Sequence, residues 1–132
     1  MAMQETWLLG LGWDDEFPSD LKKTCQEWFS HYQNFPESEF QGAIVPLKKN
    51  VADTSIHTMV DASLLAYATV SYVRHKYEDG EATVRFIAAK AKVAPTKAIS
   101  VPRLELMAAV LGLRLARKVS ELLETPFENC TL

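Results

Sequence analysis

The sequence predicts a mixed α/β fold of the α+β-like kind, in which three antiparallel strands, one long helix and the start of a fourth strand follow a helical segment. Three observations carry that expectation. Residues 66–77 and 82–93 are rich in Val, Tyr, Thr and Ile and flank the turn string Glu78-Asp79-Gly80-Glu81. A long apolar pattern with helical spacing runs from Pro102 through Leu123. A shorter one occupies residues 20–31, where Leu21, Cys25, Trp28, Phe29 and Tyr32 recur at intervals of three and four.

Taken in order, Trp7-Leu8-Leu9-Gly10-Leu11-Gly12-Trp13-Asp14-Asp15 reads as an apolar stretch ending in an acidic turn. Pro18-Ser19 then starts the first periodic helix, with Ser19 as N-cap, and Pro36 closes it. Residues 37–55 mix Gly42, Pro46, Asn50 and charges with little periodicity, and read as a connector with at most a short strand near Ala43-Ile44-Val45. The expected division is therefore a connection segment, 1–55, and a second domain, 56–132. The second begins with the strand Ile56-His57-Thr58-Met59-Val60. Asp79-Gly80 between two runs of strand formers signals a hairpin, because Gly tolerates the positive φ of a tight primed turn. Pro102 opens the long helix, Pro126 stops it, and Asn129-Cys130-Thr131-Leu132 reads as a strand beginning. A chain ending on a strand start reads as a fragment.

A length of 132 residues, 48% hydrophobic and 23% charged, suits an ordinary globular chain with a modest core rather than disorder. No apolar run reaches the roughly 18 residues of a membrane span, and the opening Met1-Ala2-Met3-Gln4-Glu5 is not a signal sequence. The expected location is cytoplasmic or within a virus-like particle. Cys25 and Cys130 stand apart, and His31, His57 and His75 show no ligand spacing, so reduced thiols and no zinc are expected.

The net charge of −3 hides an asymmetry. Residues 1–61 hold four Lys/Arg against ten Asp/Glu (−6), and residues 62–132 hold ten against seven (+3). Arg74, Lys76, Arg85, Lys90, Lys92, Lys97 and Arg103 concentrate the positive charge, as a phosphate-binding surface would. A solvated strand edge protected by lysines accounts for the same pattern.

Two acids stand out. Asp61 follows an apolar strand and precedes the small pair Ala62-Ser63, a placement that suits a metal ligand and equally a turn former. Glu105 falls nine residues before Arg114, about 900° along the helix. That is half a turn from the polar stripe of Arg103, Arg114, Arg117, Lys118 and Glu121. An acid in an apolar sector needs a partner or a metal if it is buried, although an acid near a helix start is also favoured by the dipole. Ala108, Ala109 and Gly112 would let the helix lie close to a sheet and bring Glu105 toward the strand that ends near Asp61. Two such carboxylates are parts of a two-metal phosphoryl-transfer site.

The ordered strings Asp61-Ala62-Ser63, Ala66-Tyr67, Ala89-Lys90-Ala91-Lys92-Val93-Ala94-Pro95 and Val101-Pro102-Arg103-Leu104-Glu105-Leu106, with Ala108-Ala109 behind them, resemble the ribonuclease H of BEL/Pao-type retrotransposon Pol polyproteins. Gln4-Glu5-Thr6-Trp7 through Gly12-Trp13-Asp14-Asp15 resembles the connection between reverse transcriptase and ribonuclease H in the same polyproteins. Lys90-Ala91-Lys92 departs from a Lys-Ser-Arg-like string, and Ala68 stands where Gly is usual.

The resemblance implies a truncated ribonuclease H-like fold that hydrolyses the RNA strand of RNA/DNA hybrids with Mg²⁺ or Mn²⁺. It implies Asp61 and Glu105 as the metal-binding catalytic acids; Ser63, Lys90, Lys92, Lys97 and Arg103 stand beside them as the candidate nucleic-acid contacts. The expected partners are the hybrid and the rest of the Pol polyprotein, reverse transcriptase and remaining ribonuclease H, with no membrane. Because the family's later acids lie beyond Leu132, the isolated chain is expected to be inactive and to bind Mg²⁺ weakly. The alternatives are a noncatalytic nucleic-acid-binding or connection module and a nonfunctional transposon relic.

Overall fold

The computed structural model describes residues 2–36, 46 and 50–132; the short strand expected near Ala43-Ile44-Val45 lies outside them. The chain divides into two compact units, Met1–Gln41 and Gly42–Leu132.

In the first unit, α1 (Ala2–Leu8) is a helix whose last two residues, Trp7 and Leu8, open the apolar stretch. Its end is set by Gly10, at φ +67°. The Leu11 N–H donates to Thr6 O (3.1 Å) and the Gly10 N–H to Trp7 O (3.2 Å), the bond pair of a Schellman cap, in which a left-handed glycine satisfies the last carbonyls. Helix α2 (Ser19–Gln33) follows. Ser19 is its first helical residue and not its cap: the N-cap position is Pro18, extended at ψ 146°, with no side-chain cap bond. The Pro18 carbonyl accepts the first helical bond, from the Lys22 N–H (2.9 Å). Of the expected apolar stripe only Leu21 is buried, while Trp28, Phe29 and Tyr32 stay exposed. Trp28 stacks on Tyr32 (centroids 5.8 Å apart) and meets Phe29 edge-on (5.1 Å).

The second unit is a four-stranded sheet in the order β3-β2-β1-β4 with one helix. Strands β2 (Ala66–Tyr77) and β3 (Ala82–Val93) pair antiparallel, as do β1 (Val51–Ala62) and β2. β1 starts five residues before the expected Ile56, so the expected boundary after residue 55 falls inside a strand. The β2–β3 turn is longer than a two-residue primed turn: Gly80, at φ +85°, donates its N–H to Tyr77 O (3.0 Å), and Tyr77 N–H donates to Glu81 O (2.9 Å). That is the three-residue loop with a left-handed glycine at its end. α3 (Val101–Leu122) returns the chain across the sheet, and after the 3₁₀ turn Phe127–Asn129 the short β4 (Cys130–Thr131) joins β1 in parallel, Cys130 opposite Ile56.

One face of the sheet lies under α3. Side chains alternate along a strand, and Ile56, Thr58, Ser71 and Val73 are buried on the helix side. Thr58 and Ser71 satisfy each other there (2.8 Å). The approach is close enough that a Cβ on Gly112 would overlap Val60 Cγ1 and come within 3.2 Å of Thr69 Oγ1. Near the start of α3, Tyr67, Ala94, Leu104, Ala108 and Leu111 form one core cluster with Ala62, Ile99 and Met107 against it. At the far end, Ser120 Oγ donates to Thr125 O (2.6 Å) and Asn129 Nδ2 to Thr54 O (3.3 Å), which steers the chain from α3 into β4.

A bulge interrupts the β2–β3 ladder. Ser71 pairs with Ala88 and Tyr72 with Phe86, leaving Ile87 without an opposite residue. Beyond it Lys90 lies opposite Thr69 and Lys92 opposite Tyr67, so both lysines share the helix-side face. Ala89, Ala91 and Val93 take the other.

Candidate functional site

Asp61 occupies the penultimate position of β1, opposite Ala68. Its neighbour Ala62 packs against the cluster that contains Leu104, the neighbour of Glu105. Because that cluster joins the finish of β1 to the start of α3, both acids lie at the same end of the sheet. Both are exposed, and neither forms a hydrogen bond or ion pair with a described residue.

Two expectations about these acids change. Glu105 is exposed, although it lies beside the buried Leu104. A cost of charge burial therefore does not apply to it. It also lies outside the first turn of α3, which holds no acid, so the dipole explanation does not apply either. Asp61 alternates with Val60, whose side chain faces Gly112 of the helix, and so belongs to the face opposite α3. There it borders a shallow hollow with Met59, Ala68, Val70, Ala89 and Ala91. The structure thus brings the two carboxylates to one end of the sheet without a shared partner. No group of three or more His, Cys, Asp or Glu suited to a metal occurs among the described residues.

Ser63 is already engaged. Its Oγ accepts the Leu65 and Ala66 N–H groups (3.3 and 3.2 Å) and donates to Ala66 O (3.2 Å), which closes the β1–β2 turn. Lys90 and Lys92 are exposed on β3, Lys97 is exposed in the β3–α3 loop, and Arg103 is exposed in the first turn of α3. They cluster at the end that carries the acids, because β3 finishes there and α3 starts there.

A larger cleft lies elsewhere. It spans about 700 Å³ at the opposite end of the sheet, among Asp53, Thr54, His75, Glu124, Thr125 and Asn129; no sequence signal pointed to it. Both cysteines are free. Burial pushes the Cys130 thiol up, against the smaller opposing effect of a hydrogen bond with Ser120. No described helix is long and apolar enough to cross a membrane.

Among known proteins, the family model described as Pao retrotransposon-like RNaseH-like domain matches residues 1–132. No curated protein and no solved structure matches the chain.

Proposed function

The chain belongs to the Pao retrotransposon-like RNaseH-like domain family, and from that premise we propose that its sheet unit supplies part of a divalent-metal site that hydrolyses the RNA strand of RNA/DNA hybrids. The observation that carries this reading is the placement of Asp61 and Glu105, two exposed carboxylates that bond no described residue, at the end of the sheet that also carries the exposed Lys90, Lys92, Lys97 and Arg103, the two strand lysines on the helix-side face and Asp61 on the other. Mg²⁺ and Mn²⁺ take hard oxygen ligands, and Mg²⁺ keeps several waters. Asp61 and Glu105 fit such a water-rich site as two of its ligands. They do not make a closed cage, since no third acid stands with them among the described residues. When bound, the metal would activate water and stabilise the leaving oxygen.

The protein's own groups then have distinct tasks. Asp61 and Glu105 hold negative charge where a cation is to sit. Lys90, Lys92, Lys97 and Arg103 neutralise backbone phosphates of the hybrid and position it. Ser63 fixes the turn after Asp61, and the close α3–β1 contact at Gly112 holds Glu105 at that same end. We assign the segment that precedes the sheet, 1–55 in the sequence-based division and ending before β1 in the structure, to the connection with reverse transcriptase, and the partners to the hybrid and the remainder of the Pol polyprotein.

The test is a Mn²⁺ titration of the chain followed by paramagnetic broadening of backbone amides. Broadening should centre on residues 60–63 and 103–106, and should weaken at both positions in Asp61→Asn and in Glu105→Gln. Equal broadening at Asp79 and Glu81, or no effect of either substitution, refutes the site. A steeply salt-dependent affinity for hybrid that ignores the metal would favour the noncatalytic binding module instead.

A further inference from the structure

We propose that the helical unit carries a receptor for a basic side chain, Arg or Lys, presented by a partner polypeptide. A hollow of about 330 Å³ is lined by Thr6, Trp7, Leu11, Gly12, Trp13 and Phe17. Two local devices build it. The glycine cap after α1 reverses the chain at Gly10, and the Gly12 N–H donates to Asp15 Oδ2 (2.7 Å) to fold the next turn. Trp7 from the last turn of α1 and Trp13 and Phe17 from the following loop are thereby gathered around one space.

The walls are unusual for a surface loop. Trp7 is 78% exposed and Trp13 fully so, which leaves two large aromatic surfaces in water. Trp28 and Tyr32, by contrast, cover each other by stacking. The loop that carries Trp13 also carries Asp14 and Glu16, both exposed and without a hydrogen-bonding partner among the described residues. Residues 1–41 hold two lysines against eight acids, a charge of −6.

These features select the occupant by charge. The faces of indole rings attract cations, most strongly when water is displaced. A guanidinium can also stack flat on them. Asp15, whose carboxylate accepts the N–H of Gly12 in the hollow's wall, and Asp14, next to Trp13 in the chain, reinforce that preference and disfavour phosphate. A basic segment of a protein partner satisfies both the aromatic walls and the acidic loop that carries Trp13.

The test uses the whole 132-residue chain and reads its three tryptophan indole N–H signals by NMR, assigned through Trp→Phe variants. The probes are hexa-arginine and hexa-lysine peptides, with hexa-glutamine and hexa-proline as controls. The basic peptides should shift the Trp7 and Trp13 signals saturably and leave Trp28 in place. Trp13→Ala should weaken binding tenfold or more, and Asp14→Asn with Glu16→Gln at least threefold. Trp13 is fully exposed, so its removal leaves the unit folded, and an unchanged far-ultraviolet spectrum verifies that. Binding of the uncharged peptides with similar affinity would make the hollow a plain apolar groove and overturn the proposal. So would equal shifts at Trp28, or wild-type affinity in Trp13→Ala.

Discussion

Replacing Gly112 with Ala tests the close contact that seats α3 on the sheet. In an exposed helix interior the change would stabilise by about 1 kcal/mol, since glycine loses more backbone entropy. Here the new methyl would overlap Val60 Cγ1 and stand 3.2 Å from Thr69 Oγ1 and 3.3 Å from Leu132 Cδ1, inside the roughly 3.5–4.0 Å of comfortable carbon contact. Valine is stiff at χ1, so relief requires the helix to lift. Overpacking of this kind costs about 1–3 kcal/mol. Set against the helix-propensity gain, a net loss of up to about 2 kcal/mol is expected. Each kcal/mol should lower Tm by roughly 4–8 °C for a domain of this size. Thermal and urea unfolding followed by circular dichroism read the loss directly. In a Val60→Ala background the obstructing methyl is absent, and Gly112→Ala should become neutral or stabilising, a coupling of about 1 kcal/mol or more. A higher Tm for Gly112→Ala in both backgrounds would refute the reasoning, because propensity alone would then govern the site.

Three further outcomes follow from the same structure. Lys90→Gln with Lys92→Gln should lower the salt dependence of hybrid binding by about one unit of slope per lysine, whereas Arg74→Gln with Lys76→Gln, nearer the other end of β2, should leave it near wild type; equal effects would remove β3 from the interface. Ser120→Ala deletes the 2.6 Å bond to the Thr125 carbonyl inside a buried turn, and should cost about 1–2 kcal/mol in urea unfolding. Cys130 should alkylate more slowly in the folded chain than in urea at pH 8, because burial raises its thiol pKa and leaves less thiolate. The sign for stability follows: the folded state holds this proton more tightly, so its contribution is full below the ordinary thiol range and declines as pH rises through it.

The strand pair β2 and β3 was legible in the sequence because long runs of strand formers meet at Asp79-Gly80, and both strands take the expected limits. The limits of α3 were legible for a similar reason, with Pro102 and Pro126 bracketing a strong periodicity. The start of β1 was not. Asp53, Thr54 and Ser55 offer no apolar alternation, and what holds them in the strand is pairing with Lys76, His75 and Arg74, a long-range term that a local pattern does not contain. Phasing the helix put Glu105 in the apolar sector, but whether a residue in that sector is covered depends on how far the sheet extends beneath it. The positions of Asp61 and Glu105 at one end could be anticipated. The face on which Asp61 lies could not, because it is fixed by the register of the whole sheet.

The bulge at Ile87 makes the placement of charge on β3 a question of parity. On either side of it the same face is read by residues of opposite odd or even number. Substituting Ile87 would leave Lys90 and Lys92 where they are, and deleting it would do the same: Phe86 and Ala88 already oppose Tyr72 and Ser71, so the ladder closes into regular alternation with Lys90 and Lys92 still opposite Thr69 and Tyr67. The basic character of that end of the sheet is therefore robust both to substitution of this residue and to its loss. Which face a β3 side chain takes should accordingly be read from its partner on β2, and not from counting odd and even positions along β3.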